Sequence, residues 1–506
     1  MSTCLLPVPG ARLATDLTLP GTRPPYPAVL VRTPYGRQNH RAEARAWAAR
    51  GFAAVVQDVR GRYGSEGEWR PYRHEAADGA ATLRWVRAQP WSDGTAVAAG
   101  ASYAAHCALV AALEPEHTGP GPDAVIAAVP ALGPAETARE PSGVERLLGR
   151  AGWWAAHGDR PDSDPAALDR ALAADPRLLE HLPLTGLPDR LGRELPSWRG
   201  LWEDGREDGG PRDRLVGRAP AARVPLLAIG GARDPFAADT LRLWRAWGGP
   251  ARLLIGPWGH GLTAEPAPDA RPGHRLNLGA LQVRWARAAL AGALAPGRRS
   301  ALALGDSEHW HPVGRSRSRT RLSRPFGPAH GLPLHHGGDF LADPARPVRS
   351  DGLSVPADGE PDRALLLSAP LPRPLDLFGP AGARLRATAD TPAADWFVRL
   401  TVLTPDGRAQ PLALGVARRT DPPGRPAGLT VPLGHLARRI APGSRLRLEI
   451  SGHHFPAHAR NPHTGEDPMT ATRLAPSRRV LDPAGGALLL TAGPGRRVDP
   501  VQEMCA

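Results

Sequence analysis

Between Tyr26 and Leu113 short apolar runs alternate with segments of helical spacing. Tyr26–Val31 (YPAVLV) and Phe52–Gln57 (FAAVVQ) read as buried strands, with Ala42–Ala49 between them a helix running into Gly51. Glu75–Arg87 has helical spacing with Leu83 and Val86 on one face. Ala96–Ala99 is a third strand, and Tyr103–Leu113 is a helix of small residues. Strands that are apolar throughout, joined by helices, predict a parallel, doubly wound α/β sheet. From about Gly121 to Arg218 the strand signal fades, and Trp153, Trp154, Trp198 and Trp202 stand among helical fragments. The rhythm resumes with a strand at Pro225–Gly230, a helix at Asp239–Trp247, a strand at Arg252–Ile255 and a helix at Leu276–Leu290. The middle region therefore reads as a helical cap inserted into one α/β domain. Beyond about Arg321 short alternating segments take over: Ala364–Leu367, Arg384–Ala389, Trp396–Leu403, Gly428–Pro432, Arg445–Ser451 and Ala487–Thr491. Pro, Gly and Asp clusters separate them, as in an antiparallel sandwich. The expected organisation is an α/β core over 1–120 and 219–320, a cap over 121–218, and a β-sandwich over 321–506.

Composition narrows the class. A chain of 506 residues, 42% hydrophobic and 22% charged, has the material for about three folded units and argues against wholesale disorder. The net charge is +13, but all 63 basic residues are Arg. Together with the many Ala, Gly and Pro, this reads as codon bias of a GC-rich genome and says little about partners. Arg315, Arg317, Arg319 and Arg321 recur with period two, as on a solvated edge strand. Nucleic-acid binding would need aromatic interleaving or a recognisable module, and the run has neither. Cys4, Cys107 and Cys505 make no disulfide framework. A basic and apolar leader is missing, and apolar runs fall short of a membrane span. A reduced, cytoplasmic protein is expected, with a small-molecule ester or amide substrate and neither a membrane nor a nucleic acid as partner.

The candidate chemistry begins at Gly100-Ala101-Ser102-Tyr103-Ala104, set between a strand and a helix. A sharp turn there lifts a serine hydroxyl clear of the sheet, and the N–H of the next residue, Tyr103, can face a developing oxyanion. Ala104 stands where the usual pattern has its second glycine, so slight crowding is expected. The alternative is a serine that only caps a helix. Downstream, Asp234 follows one buried strand and His260 (in Gly256-Pro257-Trp258-Gly259-His260) follows the next. Ser102, Asp234 and His260 thus keep the Ser…Asp…His order of α/β-hydrolases, each at the C-terminal end of a strand. Asp239 is a rival acid, better read as part of a helix start. His106 reads as a packed helix histidine and Cys107 as a buried filler. Asp58, Arg60 and Glu66 read as a structural network. The pairs His309/His311, His335/His336 and His453/His454 lack metal-ligand spacing with further ligands, so no metal and no cofactor is implied. Trp153 and Trp154 line a substrate pocket or fill a helical core, and Trp258, fixed beside His260, is the stronger pocket candidate.

Five ordered segments resemble the CocE/NonD-type serine hydrolases, a family that includes esterases and X-Pro dipeptidyl-peptidases. They are Arg32-Thr33-Pro34-Tyr35-Gly36-Arg37; the loop Gln57-Asp58-Val59-Arg60-Gly61 through Ser65-Glu66-Gly67; Pro90-Trp91-Ser92-Asp93-Gly94 leading into Gly100–Tyr103; Gly256–His260; and Phe455-Pro456-Ala457-His458-Ala459-Arg460-Asn461-Pro462. The resemblance implies an α/β-hydrolase with an inserted cap, followed by a jelly-roll sandwich. It also implies Ser102 as nucleophile, His260 as base, Asp234 as its partner, and the Tyr35 hydroxyl beside the Tyr103 N–H as oxyanion donors. The expected reaction is hydrolysis of an ester or amide through an acyl-serine. Ester cleavage comes first, because nothing in the sequence shows the acidic cluster that binds a free α-amine. X-Pro peptidase activity and acyl transfer to another acceptor stand as alternatives, and a non-catalytic scaffold is disfavoured by the intact triad.

Overall fold

The computed structural model describes the chain except residues 22, 115–120, 204–212, 315–318, 328–330 and 357. Its first sheet has ten strands in the order β1-β2-β4-β3-β5-β6-β7-β8-β11-β12. These are Ser2–Val8 (β1), Ala11–Thr18 (β2), Tyr26–Thr33 (β3), Ala53–Asp58 (β4), Ser92–Ala101 (β5), Ala124–Ala128 (β6), Leu226–Gly231 (β7), Ala251–Gly256 (β8), Arg298–Ala303 (β11) and Trp310–His311 (β12). The strands from β4 to β11 run parallel, as the uninterrupted apolar runs demanded. Two short strands, Trp258–Gly259 (β9) and Leu262–Pro266 (β10), form a separate hairpin after β8.

Alternation along the strands splits the core in two. Val97 and Ala99 face a layer holding Arg41–Ala48 (α1), Leu278–Leu290 (α11) and the C-terminal helix Pro500–Cys505 (α12). Ala98 faces the layer of Tyr103–Leu113 (α3) and Ala237–Ala246 (α10). From β3 the chain passes to β4 on one side and later to β5 on the other. The crevice above β3 and β5 is therefore the switch point of the sheet, where open α/β sheets hold their ligands.

Three details differ from the sequence expectation. The hairpin β1–β2 opens the chain, where no strand was expected. Ala124–Ala128, expected as the start of the cap, is a central strand, because five small or branched residues suffice between β5 and β7. The insertion thus begins after β6, and its helices are Pro134–Ala138 (α4), Leu147–His157 (α5), Ala167–Ala174 (α6), Leu187–Leu191 (α7), Pro196–Glu203 (α8) and Arg214–Arg218 (α9). Finally, α12 lies in the last segment of the chain but returns to the first core, where Met504 is fully buried.

The rest of the C-terminal part is two antiparallel sheets packed face to face around Leu385, Trp396, Val398, Leu448 and Ile450. Thr320–Pro325 forms an edge strand there with Arg321 exposed; Arg315 and Arg317 lie outside the described residues. No helix among the described residues is long and apolar enough to cross a membrane.

Candidate active site

Ser102 sits between β5 and α3 with φ 57 and ψ −120. A non-glycine residue holds such a conformation only where the surroundings over-determine it, at a cost of about 1–3 kcal/mol. Here the backbone fixes it from two directions: the Ser102 N–H donates to Ala128 O at 2.9 Å, and Ser102 O accepts from Ala131 N at 3.2 Å. Gly100 explains why the turn closes. A Cβ there would stand 2.5 Å from Ala104 O and 2.7 Å from Ala104 Cβ, so the alanine that replaces the second glycine fits because the first one is kept.

Three donors and acceptors gather at the serine. Tyr35, two residues beyond β3, brings its phenol to the Ser102 side chain and the Tyr103 N–H. Trp153, from α5 of the cap, donates its indole N–H to the same phenol oxygen at 3.2 Å. Burial pushes the Tyr35 phenol above its ordinary pKa, against the pull of those hydrogen bonds, so it stays protonated. Tyr103 is anchored from below: its phenol donates to Glu75 Oε1 at 2.5 Å and accepts from the Tyr72 N–H at 2.6 Å. Burial raises the Glu75 carboxyl, and the Tyr103 hydrogen bond opposes it. Trp153 stacks on the Tyr103 ring (6.0 Å, 12°). His157, one turn further along α5, meets the Tyr35 ring at 5.0 Å and is pushed down to about 4 by burial and by Arg62.

On the other flank, β7 and β8 deliver Asp234 and His260. His260 Nδ1 and Asp234 Oδ1 are 2.7 Å apart; the carboxylate is fully buried and the imidazole partly open, beside Phe236 at 5.5 Å. A hydrogen bond from Nδ1–H to the carboxylate leaves Nε2 as the acceptor nitrogen. Among the described residues no hydrogen bond joins His260 to Ser102, whose hydroxyl meets Tyr35 instead.

The remaining sequence candidates separate cleanly. Asp239 starts α10 and pairs with Arg242 at 2.9 Å. His106 is packed, with Nδ1 on Leu132 O at 3.1 Å. Asp58 binds Arg37, Arg60 binds Asp78 and Glu66 binds Arg12. Of the three tryptophans expected to bind substrate, Trp153 reaches the serine cluster and the other two do not. Trp154 turns into the cap core with Leu147 and Trp198, because adjacent helix positions differ by about 100°. Trp258 packs into the sheet core against Trp310. It borders a separate cavity of about 520 Å³ with Thr263, Pro266 and His274, away from Ser102. No three His, Cys, Asp or Glu side chains among the described residues are arranged to hold a metal ion. The sequence reading missed Glu75, Tyr72 and His157; the acidic first turn of the 75–87 helix, Glu75 with Asp78, was the available signal for Glu75.

Comparison with known proteins bears on the whole chain. Residues 9–262 match the X-Pro dipeptidyl-peptidase (S15 family), and residues 309–490 match the X-Pro dipeptidyl-peptidase C-terminal non-catalytic domain. Cocaine esterase from Rhodococcus sp. (strain MB1 Bresler) is 27% identical over 541 residues, covering 90% of this chain and 91% of that one. Two solved structures share the fold. An aminopeptidase from a marine sediment Thaumarchaeota archaeon has TM-score 0.78 and 19% identity, over 98% of this chain and 96% of that one. An α-amino acid ester hydrolase has TM-score 0.77 and 18% identity, over 97% and 96%.

Proposed function

Because the chain belongs to the X-Pro dipeptidyl-peptidase (S15) family and is a serine hydrolase acting on ester or amide bonds, we propose that Ser102 is its nucleophile, His260 its general base and Asp234 the group that orients the base. Tyr35 and the Tyr103 N–H are the oxyanion donors. The observation that carries this reading is the strained φ of Ser102 at the switch point, with the Tyr35 phenol on one flank and the His260–Asp234 pair on the other.

Donor counting gives the order of events. A phenol has one proton and two acceptor lone pairs. The Trp153 and Tyr103 N–H groups can only donate, so they fill the lone pairs of the phenol oxygen and leave its one proton to be donated to an acceptor that enters the site. An entering carbonyl oxygen accepts hydrogen bonds from that phenol and from the Tyr103 N–H, and the serine hydroxyl turns to His260 Nε2. Such contacts tighten as substrate binds. Oγ then attacks the carbonyl carbon while its proton passes to Nε2. The oxyanion collapses, the C–O or C–N bond breaks, and the imidazolium returns the proton to the leaving alcohol or amine. Water repeats the sequence on the acyl-serine and releases the acid.

Ester cleavage is the preferred reading. The carboxylate that touches the cluster, Glu75, is already engaged by Tyr103 and is not free to hold an α-ammonium group. X-Pro peptidase activity is the second reading, favoured by the family match. A fluorophosphonate probe is expected to label the wild type and not Ser102→Ala; a labelled variant overturns the nucleophile. Turnover of p-nitrophenyl acyl esters against X-Pro-p-nitroanilides decides between the two readings.

A further inference from the structure

The proposed base rides on a part of the fold that packing alone does not fix. After β8 the chain leaves the sheet, and His260 lies in the short turn that joins β9 to β10, where Gly259 pairs with Leu262. β9 is anchored: Trp258 is buried, and its carbonyl accepts the Arg233 N–H at 2.9 Å. β10 is not. Leu262 touches the first core, but Thr263, Ala264, Glu265 and Pro266 are exposed. Leu262 also holds φ 55, a left-handed conformation that a bulky side chain adopts only where its surroundings impose it. The pairing jumps from Gly259–Leu262 to Trp258–Pro266, so Thr263, Ala264 and Glu265 bulge out with no partners on β9.

The bulge turns back onto the residue after the base. The Ala264 N–H donates to Gly261 O at 3.2 Å, and Glu265 Oε2 accepts the Gly261 N–H at 2.8 Å. That N–H belongs to the rigid peptide plane joining His260 to Gly261, so holding it fixes the backbone from which the imidazole projects. A carboxylate is the strongest side-chain acceptor available for the purpose. The sequence makes room for it: Gly259-His260-Gly261 puts a glycine on each side of the base, and a Cβ at Gly259 would collide with the Glu265 carboxylate. In a chain with 63 arginines, Glu265 forms an ion pair with none of them among the described residues; its contact is the N–H beside His260.

Resting on the reading of His260 as base, we infer that Glu265 is a positioning residue, whose carboxylate clamps the His260–Gly261 peptide and keeps the imidazole between Asp234 and Ser102. Without the clamp the bond to Asp234 remains, but the ring moves with the hairpin tip, and a misplacement of about 1 Å can slow catalysis by up to about a hundredfold. The test measures kcat and KM for a p-nitrophenyl acyl ester in Glu265→Ala and Glu265→Gln, with fluorophosphonate titration counting the competent sites. Glu265→Ala is expected to lower kcat about tenfold per titrated site. His260 serves both acylation and deacylation, so both steps slow and KM stays within about twofold. Glu265→Gln, which keeps an acceptor oxygen, should stand within about threefold of the wild type. Three results overturn the inference: a Glu265→Ala kcat within about twofold of the wild type, a Glu265→Gln enzyme as slow as Glu265→Ala, or a rate loss matched by an equal loss of titrated sites. His260→Gln in the same series keeps the two readings apart. At wild-type rate it removes the base and the clamp with it; inactive, beside an unimpaired Glu265→Ala, it removes only the clamp.

Discussion

Replacing Tyr35 with Phe removes one hydroxyl and keeps the ring that packs against His157. That hydroxyl is one of two proposed oxyanion donors, and removal of one such donor costs about 2.7–4 kcal/mol, or roughly 10²–10³ in kcat. The local geometry argues for the lower end. The Trp153 N–H, 3.2 Å from the lost oxygen, remains beside the site and can supply part of the missing field. We expect kcat and kcat/KM to fall together by about a hundredfold, with KM little changed, because the donor acts on charge that appears only in the transition state. Stability should drop by about 1 kcal/mol, the cost of leaving the half-buried indole N–H without its acceptor. Trp153→Phe removes the donor that turns the phenol and should cost about tenfold. If Trp153 acts through Tyr35, the double variant is no slower than Tyr35→Phe alone. The assay is steady-state hydrolysis of a p-nitrophenyl ester beside urea unfolding. A Tyr35→Phe enzyme within about threefold of the wild type refutes the oxyanion role, and a double variant showing the product of both losses refutes the coupling.

Two further outcomes follow from packing and burial. Gly100→Ala drives a methyl into the Ala104 backbone, which has no flexible end to move aside. It should destabilise the protein by about 1–3 kcal/mol and slow fluorophosphonate labelling of Ser102; labelling at the wild-type rate would show that the elbow tolerates a side chain. His106 and His463, each 5% exposed, are held neutral by burial down to about pH 4 against an ordinary 6.5. Between those values the unfolded chain binds protons that the folded chain refuses, so stability is complete above pH 6.5 and falls as pH drops through the window. By pH 5.5 each histidine should account for about 1.4 kcal/mol of lost stability, read as the change in urea unfolding between pH 7.5 and 5.5. A flat profile would contradict their burial.

The parts of this molecule that were legible in its sequence are those where one residue type satisfies one physical demand. Long apolar runs such as AVLV and LLAIG can only be strands buried on both faces, and they fall in β3 and β7. β6 escaped because its AVIAA sequence is mostly alanine, a poor strand former that becomes a strand only by inclusion between two others. The hairpin β1–β2 escaped because its first strand lies at the sheet edge, exposed at Cys4 and Leu5. Tyr35 had no spacing argument and entered through the family's motif alone. Adjacent tryptophans at 153 and 154 could not be told apart before the phase of α5 was known.

The C-terminal sandwich, matched to a non-catalytic domain, still bears on the chemistry through α5. The first N–H groups of a helix have no partner within it, and at α5 they are met from outside. Leu147 and Leu148 donate to Ala457 O and Pro456 O at 2.9 and 3.1 Å, carbonyls of the segment that the sandwich sends against the cap. Phe455, Ala459 and Met469 of the same region complete the cap core around Trp154 and Trp198. Charges close the joint: Arg418 holds Glu145 at 2.9 Å and Asp395 at 2.7 Å, and His458 meets Glu140 at 3.0 Å. Trp153 rides on that helix, over the Tyr35 phenol. Its placement is therefore decided some three hundred residues further along the chain, by the region that matches a non-catalytic domain. A helical insertion anchored only at its two ends on the first sheet would leave α5 free to slide by a turn. The sandwich removes that freedom, so a pocket built on a cap can hold a donor steady against a single oxygen atom.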